Sequence, residues 1–159
     1  VRCSSKCCTG DLIVDATGEE AVSEMINGNH LMQKIKVPPV LYVWIKGNGE
    51  CVQSLFVDSK RYGCFRCLRV TDASRYREER FPTITRPPHR RHLGCRSFTP
   101  YAVSAPMHAA SLAIDAVIDW MKGDPKPRFR TRYIETTDAK IAKNQDISPL
   151  KGCQACGSH

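Results

Sequence analysis

The stretch VPPVLYVWIKGNGECVQSLFVD, residues 37–58, decides the fold of this chain. It contains two runs rich in β-branched, aromatic and aliphatic residues, 39–46 and 51–57, separated by GNGE. Glycine and asparagine between two such runs are typical of a turn, so the stretch predicts a hairpin or two adjacent strands. The first run is apolar almost throughout, which predicts a buried strand.

The preceding residues predict a strand, a tight loop and a helix. DLIVDATG, residues 11–18, is a short apolar run closed by polar residues and glycine, and residues 19–31 have helical spacing of their apolar side chains. A strand–loop–helix unit next to a buried strand is typical of an α/β domain.

The clearest helix in the sequence is 104–122, SAPMHAASLAIDAVIDWMK. We expect Ser104 to act as its N-cap and Gly123 to end it. After it, residues 126–137 alternate aromatic and threonine side chains with arginines, which predicts a half-exposed strand. The helix is identified by apolar residues at intervals of three and four: Met107, Ala110, Ile114, Val117 and Met121.

Residues 59–100 interrupt this pattern with prolines and many arginines, which predicts a long loop. The formal net charge of the chain is +8, and residues 60–96 alone hold eleven basic against three acidic side chains. The rest of the chain is therefore neutral. A general nucleic-acid coat is disfavoured, whereas a local phosphate site or an ordinary solvated loop both fit this charge.

The chain has nine cysteines, four of them in two CxxC pairs: Cys64 and Cys67, and Cys153 and Cys156. One CxxC turn supplies two thiolates to a tetrahedral ion, so the two pairs predict a structural four-cysteine zinc site that ties the C-terminal residues to the middle of the chain. Redox pairs or unrelated thiols remain the alternatives. Cys51 is predicted to be a core residue, and Cys3, Cys7 and Cys8 to belong to a ragged N-terminal end, residues 1–10.

In this order, DLIVDATG, GCFRCL and GCQACG resemble the C-terminal half of a ThiF/MoeB-type activating enzyme, the adenylating fold shared with ubiquitin-activating enzymes. The resemblance covers residues 11–159. It implies a Rossmann-like, doubly wound α/β domain with a zinc knuckle and catalytic crossover loop at 59–100, the helix 104–122 and a second knuckle at 153–156. It also implies that Asp15 helps to hold Mg-ATP and that the two CxxC pairs bind structural zinc.

The segment GCRSFTPY and the helix after it look most like bacterial activating domains associated with a ubiquitin-conjugating-like domain in antiphage conjugation systems. This resemblance implies that Cys95 takes the C-terminus of a ubiquitin-like β-grasp protein as a thioester. Arg90, Arg91 and Arg96 lie close to Cys95 in sequence and would favour its thiolate. The alternative interpretation of Cys95 is a small buried residue before the helix.

The family's glycine-rich phosphate loop has no counterpart here, so we expect this chain by itself to bind ATP weakly. Two other functions remain open: activation of a sulfur-carrier protein, and a non-catalytic zinc-stabilised module that binds a partner or nucleic acid. The resemblance implies a homodimer and a conjugating-like domain in the same or another chain. We expect a cytoplasmic protein, because no apolar run reaches the length of a bilayer crossing and no signal peptide is evident.

Overall fold

A computed structural model describes residues 10–32, 37–71, 77–93, 96–137 and 139–157. Two helices and eight strands are assigned in these ranges, with a 3-10 helix at Phe65–Leu68. In chain order they are β1 (Ile13–Asp15), α1 (Glu20–Met32), β2 (Val40–Lys46), β3 (Cys51–Val57), β4 (Arg69–Thr71), β5 (Arg77–Glu79), β6 (Arg91–Leu93), β7 (Arg96–Phe98), α2 (Ser104–Met121) and β8 (Phe129–Tyr133).

The centre of the fold is a four-stranded sheet in the order β1-β2-β3-β8. β1 runs parallel to β2, so the chain crosses over through α1 between them. β2 and β3 form the predicted antiparallel hairpin around the turn 47–50, with Val40 opposite Val57 and Lys46 opposite Cys51. β8 adds to the far side of β3 in antiparallel orientation. The prediction of a mixed α/β fold is confirmed, while the complete doubly wound arrangement stays a prediction.

Both faces of the sheet are covered, because side chains alternate between them along each strand. One face, called here the knuckle face, carries Val40, Tyr42, Leu55 and Phe129 and is covered by α1 and the four cysteines of the CxxC pairs. The opposite face packs against α2 through a second apolar cluster: Leu41, Val43, Phe56 and Ala116. The two clusters explain why β2 is apolar almost throughout its length.

α2 confirms the predicted helix but not its predicted cap. Val103 is the N-cap residue, and no side chain caps the helix there, so the prediction for Ser104 is wrong. The apolar stripe that identifies the helix in the sequence is largely exposed: Met107 is 69% exposed, Ile114 58% and Met121 75%. α2 buries two alanines and a leucine instead, and the alanines allow the helix to lie close to the sheet. The buried set is Ala105, Leu112 and Ala116.

The last strand, β8, is more buried than the predicted half-exposed strand, because its arginines lie against α2. Arg130 is buried and forms an ion pair of 2.8 Å with Asp119 of α2, while the partly exposed Arg132 pairs with Asp115 at 2.6 Å. The alternation predicted from the sequence is present. It places the arginines under α2, where the aspartates of that helix neutralise them.

The predicted long loop 59–100 contains more structure than its composition indicates. Besides the 3-10 helix, β4 pairs with β5 and β6 pairs with β7 in two short antiparallel hairpins. We refer to residues 77–103, which lead from β5 to α2, as the crossover segment. Within the described ranges, no helix combines the length and the apolar character needed to cross a bilayer.

Candidate functional site

Four cysteines from two distant parts of the chain meet at the knuckle face. Cys64 lies just before the 3-10 helix and Cys67 within it, while Cys153 and Cys156 flank a turn near the end of the described chain. All four are buried, and their sulfur atoms lie within 4.8 Å of one another. The proximity that the two CxxC motifs predict is therefore present, and the cysteines are close enough to bind a metal ion.

The sulfur separations agree with the size of a tetrahedral metal site. Cys64 Sγ lies 3.9 Å from Cys67 Sγ and 3.8 Å from Cys153 Sγ, and Cys67 Sγ lies 3.3 Å from Cys156 Sγ. Four thiolates at about 2.3 Å from a zinc ion stand about 3.8 Å apart. The residues present fit a four-coordinate site, which leaves no open position for catalysis.

The two knuckles are joined by a close backbone approach. The Gly63 N–H donates to the Ile147 carbonyl at 2.7 Å. A Cβ on Gly63 would stand 2.7 Å from a side-chain carbon of Ile147 and 2.9 Å from the Ser148 carbonyl oxygen. Glycine is needed here because the two segments that deliver the cysteine pairs touch at this point.

Polar groups from outside the CxxC pairs are directed at the sulfurs. Asn27 of α1 is 1% exposed; its Oδ1 accepts the Phe65 N–H at 3.1 Å and its Nδ2 donates to Cys64 Sγ at 3.5 Å. The Leu150 N–H donates to Cys67 Sγ at 3.3 Å. N–H donors of this kind orient thiolate ligands and spread their negative charge. Asn27 was missed by sequence reasoning, since an asparagine in a helix carries no signal of such a contact.

Hydrogen bonding within the cysteine cluster separates the acidities of its thiols. The bond that Cys64 donates to Cys67 lowers the pKa of Cys67 and, together with burial, raises the pKa of Cys64. Burial also raises the pKa of Cys51, whose thiol donates to Thr83 Oγ1 at 3.3 Å. Cys51 lies in the interior as predicted.

A second feature is a cleft of about 810 Å³ at the carboxyl ends of β1 and β2. Ligands of open α/β sheets bind outside this end of the strands. One wall is formed by the loop after β1 and by Trp44 and Ile45 of β2, and the other by the first turns of α2. Residues of the crossover segment close the cleft: Pro88, Arg90, Phe98, Thr99 and Tyr101.

Cys95 lies outside the described residues, because residues 94–95 are not described. Cys3, Cys7 and Cys8 also lie outside them. The described residues that precede and follow Cys95 in the sequence include Arg90 and Phe98, which line the cleft. α2 also begins beside the cleft, since Pro106 in its first turn is part of the wall. The roles predicted for Cys95 stay a prediction.

Asp15 ends β1 and is 3% exposed. Its Oδ1 accepts the Thr17 N–H at 3.1 Å and the Thr17 hydroxyl at 2.8 Å, and its Oδ2 accepts the Ser23 hydroxyl at 2.5 Å. Asp15 thereby shapes the loop that enters α1. A carboxylate has about four acceptor directions, and these three bonds use three of them. The Mg-ATP role stays a prediction.

The basic residues of 60–96 separate into two groups. Several of these arginines form ion pairs with glutamates on or near α1, so they do not contribute to a continuous basic surface. Arg69 contacts Glu20 at 2.6 Å and Glu79 at 3.1 Å, and Arg77 pairs with Glu24. The second group is represented by Arg90, which lines the cleft.

No family model matches the chain. Over 149 residues the chain is 32% identical to a protein of Pseudomonas aeruginosa (strain BWHPSA011 / Pa011) named ATP-dependent ubiquitin transferase-like protein Cap2. The match covers 93% of this chain and 26% of Cap2, so the chain spans about a quarter of the length of that relative. The chain is a distant homologue of Cap2.

Proposed function

We propose that this chain is part of an ATP-dependent activating enzyme that adenylates the C-terminus of a ubiquitin-like protein and takes it as a thioester on Cys95. The observation that carries the proposal is the cleft at the carboxyl ends of β1 and β2, lined by residues that precede and follow Cys95. The name of the homologue Cap2 supports the same class of reaction. The complete fold is then a ThiF/MoeB-type domain.

The reaction has two steps. In the first, a carboxylate oxygen of the C-terminal glycine attacks the α-phosphorus of ATP, and pyrophosphate leaves. In the second, the Cys95 thiolate attacks the carbonyl carbon of the acyl-adenylate; the bond between this carbon and the AMP oxygen breaks, and AMP leaves as an anion. The proton of the Cys95 thiol passes to solvent before the attack. An open cleft of this kind would accommodate an extended peptide that ends in glycine.

Two features of the cleft favour the second step. Arg90 brings a positive charge to the wall, and the N-terminus of α2, the positive end of the helix dipole, lies beside it. Positive potential stabilises a thiolate and attracts the phosphate of the acyl-adenylate. Asp15, at the carboxyl end of β1, would hold Mg-ATP, as the family resemblance implies.

The four cysteines would hold a structural zinc ion. Their burial, their separations and the N–H donors from Asn27 and Leu150 support this assignment. When bound, zinc would join the 3-10 helix to the C-terminal knuckle and supply stability, with no part in the chemistry.

The decisive experiment compares two cysteine variants of the complete enzyme, with ATP and the ubiquitin-like proteins of its own genome tested in turn. Cys95→Ala should retain ATP–pyrophosphate exchange and lose the thiol-sensitive adduct seen on non-reducing gels. Cys51→Ala, which removes a buried thiol of β3, should retain both activities. An adduct that survives Cys95→Ala places the nucleophile elsewhere.

Asp15→Ala tests the first step separately, because it should abolish ATP–pyrophosphate exchange; unchanged exchange rejects the Mg-ATP role. The alternative functions have their own readouts. A sulfur-carrier activator would release a thiocarboxylate, and a nucleic-acid module would show an affinity that falls steeply with salt. The ion pairs of Arg69 and Arg77 with glutamates argue against the second alternative.

A further inference from the structure

A second cavity, called here the aromatic pocket, lies on the knuckle face at the carboxyl end of β2. Its volume is about 190 Å³. An apolar cavity of about 150 Å³ is large enough to hold a benzene ring, so the aromatic pocket has room for one leucine or phenylalanine side chain. Much of its wall consists of aromatic and aliphatic side chains that extend the knuckle-face core without being fully buried: Trp44, Phe65, Leu68 and Phe81.

The aromatic wall of the pocket is held in place by contacts within the protein. The rings of Trp44 and Phe65 meet edge to face with their centres 5.8 Å apart, and Phe81 packs on Phe129 at 5.1 Å. The indole N–H of Trp44 donates to Gln53 Oε1 at 3.0 Å. The pocket is therefore formed before anything enters it, which lowers the entropy that binding would cost.

The uncharged polar side chains of the lining already have partners. Gln53 accepts from Trp44, and its Nε2 donates to Thr131 Oγ1 at 3.2 Å. The Ser23 hydroxyl donates to Asp15 Oδ2 at 2.5 Å. A polar group entering the pocket would lose its contacts with water and would compete with these hydrogen bonds, whereas an apolar group gains from burial alone.

The charged side chains of the lining neutralise one another. Lys46 pairs with Glu79, and Arg69 contacts Glu79 at 3.1 Å and Glu20 at 2.6 Å. Two cations and two carboxylates give this group no net charge. A charged occupant would have to displace one of the ion pairs, so the chemistry of the lining favours a neutral, apolar side chain.

The aromatic pocket is continuous with the cleft of the proposed function. Gly18, Trp44, Ile45 and Gly47 line both of them. A peptide that lies in the cleft beside these residues therefore also lies beside the pocket. Successive side chains of an extended peptide point to opposite sides, so one side chain can enter the pocket while the main chain stays in the cleft.

We propose that the aromatic pocket binds one large apolar side chain of the ubiquitin-like protein, from the extended segment that precedes its C-terminal glycine. The inference rests on the proposed function, because the peptide in the cleft is the substrate of that function. The pocket is then a specificity site: it selects ubiquitin-like proteins with leucine, phenylalanine or a similar side chain at one position of this segment, and it disfavours a charged side chain there.

The test measures ATP–pyrophosphate exchange by the complete enzyme, with a ubiquitin-like protein of its own genome that supports the exchange. Leu68→Trp fills the pocket. It should raise the KM for the ubiquitin-like protein by roughly 10- to 100-fold, because burial of a large apolar side chain is lost. The kcat should change little, since the pocket binds the substrate equally in the ground state and the transition state.

Val70→Trp is the matched control. Val70 lies two residues further along the chain, is 41% exposed and does not line the aromatic pocket. The substitution adds similar bulk outside the pocket, so it should leave KM unchanged. A KM that is unchanged in Leu68→Trp, or that rises equally in both variants, overturns the inference.

Substitutions in the ubiquitin-like protein identify the occupant, and they test the inference even if Leu68→Trp does not fold. Each large apolar residue of the C-terminal segment is replaced in turn by alanine and by aspartate. At one position alanine should raise KM in the unmodified enzyme and aspartate should raise it further, while neither adds to the effect of Leu68→Trp. The inference is overturned if no position affects KM, or if a crystal structure of the complete enzyme shows one of its own side chains filling the pocket.

The failure of this inference is distinguishable from failure of the proposed function. If the complete enzyme catalyses exchange and its KM does not depend on the pocket, only the specificity site is rejected. If none of the ubiquitin-like proteins supports exchange, the proposed function is rejected and the inference is overturned with it.

Discussion

The knuckle face and the crossover segment are held in opposite ways. The knuckle face is a buried apolar cluster in which two distant parts of the chain meet through four cysteines. The described residues of the crossover segment are largely exposed and are held by individual polar contacts, among them the hydrogen bonds that Asn48 forms with His89 and Pro100. Segments with few buried apolar contacts open at low free-energy cost, and binding or catalytic residues are commonly found on such segments. We therefore expect the knuckle face to contribute most to the stability of the fold, and the segment that closes the cleft to open more readily.

The largest loss of stability should come from a substitution in the cysteine cluster. Cys64→Ser should release one zinc ion per chain and lower the free energy of unfolding by about 5 kcal/mol or more, since structural metal binding is part of folding. Metal analysis and urea unfolding measure the two effects.

Cys51→Ala is the control for the cluster, because Cys51 is buried outside it. It should keep the metal and cost about 1–2 kcal/mol through the small cavity left behind. Fresh unmodified protein without zinc would reject the metal site.

The second largest loss of stability is expected at the ion pairs of Arg128, which join β8 to the C-terminal part of the chain. Arg128 is buried, lies 2.9 Å from Asp58 and 3.5 Å from Asp146, and stacks on Tyr62 at 3.7 Å. Arg128→Leu removes the cation between two carboxylates, and should lower the free energy of unfolding by about 2 kcal/mol because the aspartates keep other hydrogen bonds and partial contact with water.

Arg132→Leu provides the comparison, since this arginine and Asp115 are more exposed. Its cost should be about 0.5 kcal/mol or less. Equal losses in urea unfolding would show that burial does not distinguish the two pairs.

A smaller effect is expected where β5 is fastened to α1. The hydrogen bond from Arg77 lowers the pKa of Glu24 below its ordinary value of 4.5. The pair therefore stabilises the fold above that pH and loses its contribution as the pH falls through the lowered pKa. Glu24→Gln should cost about 0.5 kcal/mol at pH 7, because solvent and salt screen the pair.

Unfolding curves of the Glu24→Gln variant and of the unmodified protein should approach each other as the pH falls through the lowered pKa of Glu24. They should also approach each other in high salt at pH 7. A difference that persists under acid would mean that Glu24 acts through packing instead of its charge.

The smallest loss of stability is predicted at Ser104, the first residue of α2. Ser104 does not cap α2, so Ser104→Ala should change the free energy of unfolding by less than about 0.5 kcal/mol, whereas loss of a true cap costs about 1 kcal/mol. Thermal unfolding of the variant decides between the two values.

The parts of the fold that the sequence predicts are those set by local pattern. The hairpin of β2 and β3 follows from two β-rich runs around a glycine-rich turn, and α1 and α2 follow from helical spacing. Which side of α2 is buried does not follow. The large apolar residues at helical intervals indicate one side, yet the sheet is approached through Ala105, Leu112 and Ala116.

The candidate site shows the same division. The CxxC spacing identifies four cysteines without any knowledge of the fold, because both ligands of each pair lie within one turn. Asn27 and Asn48 are not identifiable in this way, since their partners lie tens of residues away in sequence. The concentration of basic residues at 60–96 is evident from the sequence. Which of these arginines pair with Glu20 and Glu24 depends on where α1 packs.

The sequence by itself determined the local elements, the two cysteine pairs and the concentration of charge, because each depends on residues close together along the chain. The tertiary structure alone decided which face of α2 is buried, which arginines are neutralised and how both ends of the β6–β7 hairpin are held by one amide. These depend on contacts between distant segments, whose free energies are set by burial and hydrogen-bond geometry that no local pattern contains.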